Sequence, residues 1–107
     1  MSLDFDLKYK IDGNEINFFS KNITHNMGEM AKEAGIYGVL WHAENKKAKD
    51  IITTLEKGFN KLNKNPAYFE KFNPSNGWGN YESFMRFVIE VLEACKKYPN
   101  SYIEISR

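Results

Sequence analysis

Leu3, Phe5, Leu7, Tyr9 and Ile11 alternate with Asp4, Asp6, Lys8 and Lys10. Successive side chains of a strand point to opposite faces, so this alternation predicts one greasy and one wet face. Asp12-Gly13 follows, the favoured pair for a two-residue hairpin turn. A turn there sets Lys10 opposite Glu15, Tyr9 opposite Ile16 and Leu7 opposite Phe18. A turn at Gly13-Asn14 would set Asp12 against Glu15, and like charges facing across strands repel. The pattern predicts a hairpin over residues 3–19.

Residues 20–26 are polar and read as a connector. Asn26 and Glu29 have the spacing of a capping box, with Asn in place of Ser or Thr. They predict a short helix over 27–34, closed by Gly35 in a left-handed conformation. Residues 36–41 are apolar around Gly38 and read as a helical turn packed on the core. From Lys46 to Lys64, Ala48, Ile51, Ile52, Leu55, Phe59 and Leu62 recur at helical spacing. Gly58 costs this helix about 1 kcal/mol relative to Ala, and marks a close crossing by another segment. Asn65-Pro66 ends it and opens a short aromatic turn through Tyr68, Phe69 and Phe72.

The strongest helix follows Asn80. Its polar residues are confined to Glu82, Ser83, Arg86, Glu90, Glu93 and Lys97. A helix this apolar around its circumference packs against more than one neighbour, which makes it the core helix. Gly79 or Asn80 caps it, and Glu82 sits in the first turn, where the helix dipole favours an anion. Pro99-Asn100 breaks it, and Tyr102 to Ile105 reads as a closing strand. The fold class is α+β, in β-β-α-α-α-β order. An N-terminal hairpin, a helical middle, a long buried C-terminal helix and a closing strand form a three-stranded sheet, antiparallel or mixed, covered on one face by helices.

At 107 residues the chain holds one domain, residues 1–107. A formal net charge of +1 gives no long-range attraction to a polyanion. Cys95, the only cysteine, fits a reducing compartment. With no apolar run long enough to span a bilayer and no leader, the expectation is a cytoplasmic protein without a membrane partner.

The run Asn73-Pro74-Ser75-Asn76-Gly77-Trp78-Gly79-Asn80-Tyr81-Glu82, followed by Leu92 to Pro99 and a closing Ile103-Glu104-Ile105, resembles a family of small uncharacterised phage and prophage proteins with an Asn-Pro-x-Asn-Gly-Trp-Gly-x-Tyr-Glu signature. Asn26 and Met30 match an early Asn and Met of that family. The similarity runs from about Thr24 onward. It implies a mobile-element origin and an accessory role in the host cell, and no particular biochemistry.

Two clusters carry candidate chemistry. Trp78 with Asn73, Asn76, Tyr81 and Glu82 offers a stacking and hydrogen-bonding surface for a base or small ring. The same residues also have folding duties: Asn73-Pro74 as a turn, Asn76-Gly77 for positive backbone angles, Trp78 as the filler of a gap, Asn80 as a cap. Both roles can hold together. Asn22, Thr24, His25 and Asn26 open the first helix, where amides can hold an anion or simply cap. If the two clusters meet in space they form a pocket.

Cys95 lies on the apolar side of the core helix, where a buried thiol is inert. No histidine and carboxylate spacing resembles a metal site. The sequence leads to a non-catalytic binding module for a protein partner or a small polar ligand, without a cofactor and with an oligomer left open. Two other classes stand beside it. One is a small enzyme using His25 or His42 with Glu29 or Glu82 as acid and base on a nucleotide-like substrate. The other is a nucleic-acid binder using Lys46, Lys47, Lys49, Lys57, Lys61 and Lys64, a face more often simply solvated.

Overall fold

A computed structural model describes residues 1–107. Strands β1 (Ser2–Ile11), β2 (Asn14–Thr24) and β3 (Tyr102–Ser106) form an antiparallel sheet in the order β2-β1-β3. Between β2 and β3 run helices α1 (Gly28–Glu33), α2 (Tyr37–Trp41), α3 (Ile52–Lys64), α4 (Pro66–Glu70) and α5 (Tyr81–Lys97). The fold is α+β with the helices against the sheet's apolar face, and both short helical turns count as helices.

The Asp12-Gly13 turn forms with φ of 53° and 79°, the positive angles a tight hairpin requires. Lys10 faces Glu15 and Tyr9 faces Ile16. Beyond that the expected register fails. Leu7 pairs with Phe19, not Phe18, because a β-bulge inserts Phe18 between Asn17 and Phe19. The bulge sends two consecutive phenylalanines to the helix side. Phe18 packs edge-on to Tyr9 and against Tyr98, and Phe19 packs on the core.

Residues 20–24 are strand, not connector. The N-terminal half of β1 needs a partner, and Leu3↔Ile23, Phe5↔Lys21 and Asp4↔Asn22 supply it. The expected Asn26–Glu29 capping box is also absent. A 3₁₀ turn (His25–Met27) precedes α1, and the Thr24 hydroxyl accepts the Asn26 N–H at 3.3 Å. Gly35 closes α1 at φ 79°, as expected.

The long middle helix starts at Ile52, later than its periodicity suggests. Residues 45–49 spend their backbone on the sheet's β3 edge. Lys47 bridges Tyr102, Ile103 N–H donates to the Lys46 carbonyl at 2.8 Å, and Ala48 N–H donates to the Ser101 carbonyl at 2.9 Å. Lys46, Lys47 and Lys49 therefore leave the helix, and the supposed lysine face is broken. Of the rest, Lys61 donates to the Glu33 carbonyl.

Twenty-five buried apolar residues form one core. Leu3, Phe5, Leu7 and Ile103 supply the sheet side; Phe84, Phe87, Val88, Val91, Leu92, Ala94 and Cys95 supply α5. The other side of α5 packs on α3, as its two-sided apolar pattern requires.

The crossing at Gly58 is tight. A Cβ there would lie 2.1 Å from Ile36 Cγ2 and 3.2 Å from the Ala34 carbonyl oxygen. Gly58→Ala gains about 1 kcal/mol of helix propensity but meets an overpacking cost of about 1–3 kcal/mol. The variant is expected to be less stable by up to about 2 kcal/mol in urea unfolding. A stabilised variant would show that the chain approaches this point loosely.

Candidate functional site

The site begins with the N-terminus of α5. Asn80 Oδ1 accepts the Ser83 N–H at 2.8 Å, and Ser83 Oγ accepts the Asn80 N–H at 3.0 Å. This reciprocal cap pairs Asn80 with Ser83, and Glu82 lies in the first turn of α5, as expected, where the helix dipole favours an anion. Asn73 reaches across the loop, and its Oδ1 accepts the Tyr81 N–H at 2.7 Å. The Tyr81 hydroxyl donates to the Leu62 carbonyl at 2.6 Å; burial first, then the nearby Glu70 charge, raises it above its ordinary range. Asn73 and Tyr81 thus hold the loop to α5 and α3.

Within that frame, Asn76 Oδ1 accepts the Trp78 N–H at 3.0 Å, a local turn that needs positive φ at Gly77. Gly79 then brings the loop down onto β2. With φ at 93°, a Cβ there would lie 2.7 Å from Thr24 Cγ2 and 2.9 Å from Met27 Sδ. Only glycine permits this approach. It leaves Trp78 71% exposed beside the end of β2, so the ring does not fill a gap in the packing as its folding role predicted.

Asn22, Thr24, His25, Asn26, Asn76 and Trp78 line one cavity of about 560 Å³, together with Met1 and Ser2. The two clusters noted in the sequence therefore meet. Asn73 and Tyr81 do not join them, since their polar groups are engaged in the loop. Glu82 lines a separate surface depression with Arg86, Glu90 and Glu93.

His25 is oriented from behind. The indole N–H of buried Trp41 donates to His25 Nδ1 at 3.0 Å, so that nitrogen carries no proton and Nε2 is the ring's N–H donor. Trp41 is held in turn by stacking on Tyr37 (5.1 Å, 11°) and by Arg107, whose Nη1 donates to the Trp41 carbonyl at 2.6 Å. This link lies 16 residues apart in the chain and has no local sequence signal. No charged side chain lines the cavity, so His25 has no carboxylate partner there. Glu29 pairs with Lys32, and His42 lies exposed, edge-on to Tyr37.

A second cavity, of about 570 Å³, lies at the opposite end of the sheet around Lys8, Glu15, Tyr102 and Glu104. Most of its charges are matched: Lys8 bridges Glu104 at 2.7 Å and Glu15 at 3.6 Å, and Arg107 meets Glu44 at 2.7 Å, while Lys10 makes no ion pair. The Glu104 hydrogen bond raises Lys8 above the usual lysine range. Paired ions of this kind are a surface feature rather than a recognition set.

No family model, curated protein or solved structure matches the chain. The site is therefore read from its own chemistry. No group of three or more His, Cys, Asp or Glu side chains is arranged to hold a metal ion, and no helix is long and apolar enough to cross a membrane.

Cys95 is fully buried on α5, and burial pushes its thiol up to about 12. The thiolate, which is the reactive form, is negligible at neutral pH. An aromatic disulfide reagent is expected to leave the folded protein unmodified and to titrate one thiol in guanidinium chloride. Prompt labelling in native buffer would show that α5 opens readily.

Proposed function

We propose that the protein is a non-catalytic binding module whose site is the cavity between the Trp78 loop and the end of β2. The observation that carries this reading is the convergence of an exposed indole with Asn22, Thr24, His25, Asn26 and Asn76 around one space. The space is an open cleft of about 560 Å³, similar in size to the molecule's other clefts, so its lining rather than its volume supports the reading. A tryptophan held at a rim rather than buried offers its ring to a molecule outside the chain, which supports the reading. The ligand is a small polar molecule, free or displayed by a partner protein. Consistent with the resemblance of the Asn73–Glu82 run to small phage and prophage proteins, the module acts as a mobile-element accessory protein in the host cytoplasm.

Two substitutions separate binding from folding. Trp78→Ala removes an exposed ring and is expected to change stability by no more than about 0.5 kcal/mol. Asn73→Ala removes the acceptor for the Tyr81 N–H and is expected to cost about 1 kcal/mol while sparing the ligand groups. In capture from lysogenic or infected host cells followed by native mass spectrometry, wild type and Asn73→Ala are expected to retain the same bound species, and Trp78→Ala to lose it. Equal retention by Trp78→Ala would refute the proposed site.

A further inference from the structure

Asn76 is followed by Gly77, and no other asparagine in the chain precedes a glycine. The backbone nitrogen after an asparagine can attack that asparagine's own side-chain amide, and a Cβ on the following residue is the main obstacle. Gly77 has no Cβ, and no neighbouring segment lies within 4 Å of where one would stand. Asn76 and Gly77 are both exposed, so water and base reach them.

The local hydrogen bonds favour the same chemistry. Asn76 Oδ1 accepts the Trp78 N–H at 3.0 Å, which draws electron density from Cγ and turns the carboxamide along the following backbone. Its Nδ2, the leaving group, has no protein partner. The Gly77 N–H is held only by the Pro74 carbonyl, at a long 3.3 Å. Other asparagines lack one of these features. Asn65 and Asn73 precede prolines, whose nitrogens carry no proton to give up. Asn100 precedes a small residue, but Ser101 is fully buried.

We propose that Asn76-Gly77 is a self-modification site, at which the chain converts Asn76 to aspartate and isoaspartate through a cyclic imide. Gly77 N bonds to Asn76 Cγ, the Cγ–Nδ2 bond breaks, and ammonia leaves with the Gly77 proton. Water then opens the imide, giving aspartate by attack at Cγ and isoaspartate by attack at the backbone carbonyl. Either product puts a carboxylate where the lining of the cleft had an uncharged carboxamide. Isoaspartate also adds a carbon to the main chain, which dissolves the turn that seats Trp78. The modification goes beyond the binding reading and does not depend on it; loss of the ligand on modification does.

The test holds native protein at physiological temperature in mildly alkaline buffer and follows its tryptic peptides by mass spectrometry, with isoaspartate located by electron-transfer fragmentation. The peptide carrying Asn76 is expected to gain the NH2-to-OH mass difference before any other asparagine does, in step with ammonia release. Gly77→Ala is expected to slow the conversion about tenfold or more. Asn76→Gln, which keeps a carboxamide at the site but lengthens its reach, is expected to remove it. An unchanged Asn76 in native protein, conversion only after unfolding in urea, or earlier conversion of another asparagine would each overturn the proposal. Converted protein that still captures the same species from host cells would count against the binding reading alone and leave the modification site standing.

Discussion

Everything in this protein hangs on α5 being apolar on two sides. One side meets the sheet and the other meets α3, so the helix is both the floor of the helical layer and the cover of the sheet. Each buried Phe, Val or Leu on it contributes about 1.5–3 kcal/mol relative to exposure. No other element touches both layers so broadly. Lys21 to Glu90 (2.9 Å) and Lys96 to Glu56 (3.0 Å) add ion pairs from α5 to β2 and α3, but both lie at the surface and add little beside the packing.

The fixed position of α5 determines where its N-terminus lies, and with it the loop. A helix start leaves backbone N–H groups without partners, and Asn73 and Asn80 satisfy the Tyr81 and Ser83 donors. Their two bonds tie both ends of the loop to the helix. The loop then has one way to go, down onto Thr24 and Met27, because Gly79 has no side chain to hold it off. On the far side of the cavity, the Trp41 indole holds His25. The site is thus set by the core from two directions: by α5 under the tryptophan loop, and by Trp41 beneath the histidine. Rigid support of this kind lowers the ordering cost of binding.

Much of this was legible along the chain, and the exceptions share a cause. The β1 alternation, the Asp12-Gly13 turn, the Gly58 crossing, the Pro66 helix start and the core character of α5 all express local geometry. The Phe18 bulge, the extension of β2 to Thr24 and the bridge at Lys47 depend on partners far off in sequence. Edge segments such as residues 20–24 carry few apolar residues because one face is wet, and so they read as connectors. The Ala48–Leu62 periodicity was genuine burial, but Ala48 reaches the core from a 3₁₀ turn (Ala48–Asp50). Periodicity reports which residues are buried more faithfully than the backbone that delivers them. The meeting of Asn22 and Trp78 could be posed as a condition, not read, since it needs the path of the whole helical layer.

The uncharged side chains around the cavity stand out against the rest of the surface. Charged residues make up 27% of the chain, and elsewhere they crowd together: Lys8 with Glu15 and Glu104, Lys21 with Glu90, Arg107 with Glu44. Eight residues line the cavity; none has a charged side chain, three are asparagines, and Met1 among them bears the α-ammonium. Asparagine is a weak choice for either strand or helix, and its enrichment around one exposed tryptophan has no counterpart in the packing of the core. Asn76 has a turn to make and uses its carbonyl oxygen for it, leaving its amide N–H groups free of any protein partner. Asn22 and Asn26 make no side-chain hydrogen bond within the chain at all. Folding therefore uses half of one carboxamide, and the exposed amides of Asn22 and Asn26 are left to water or to a bound molecule.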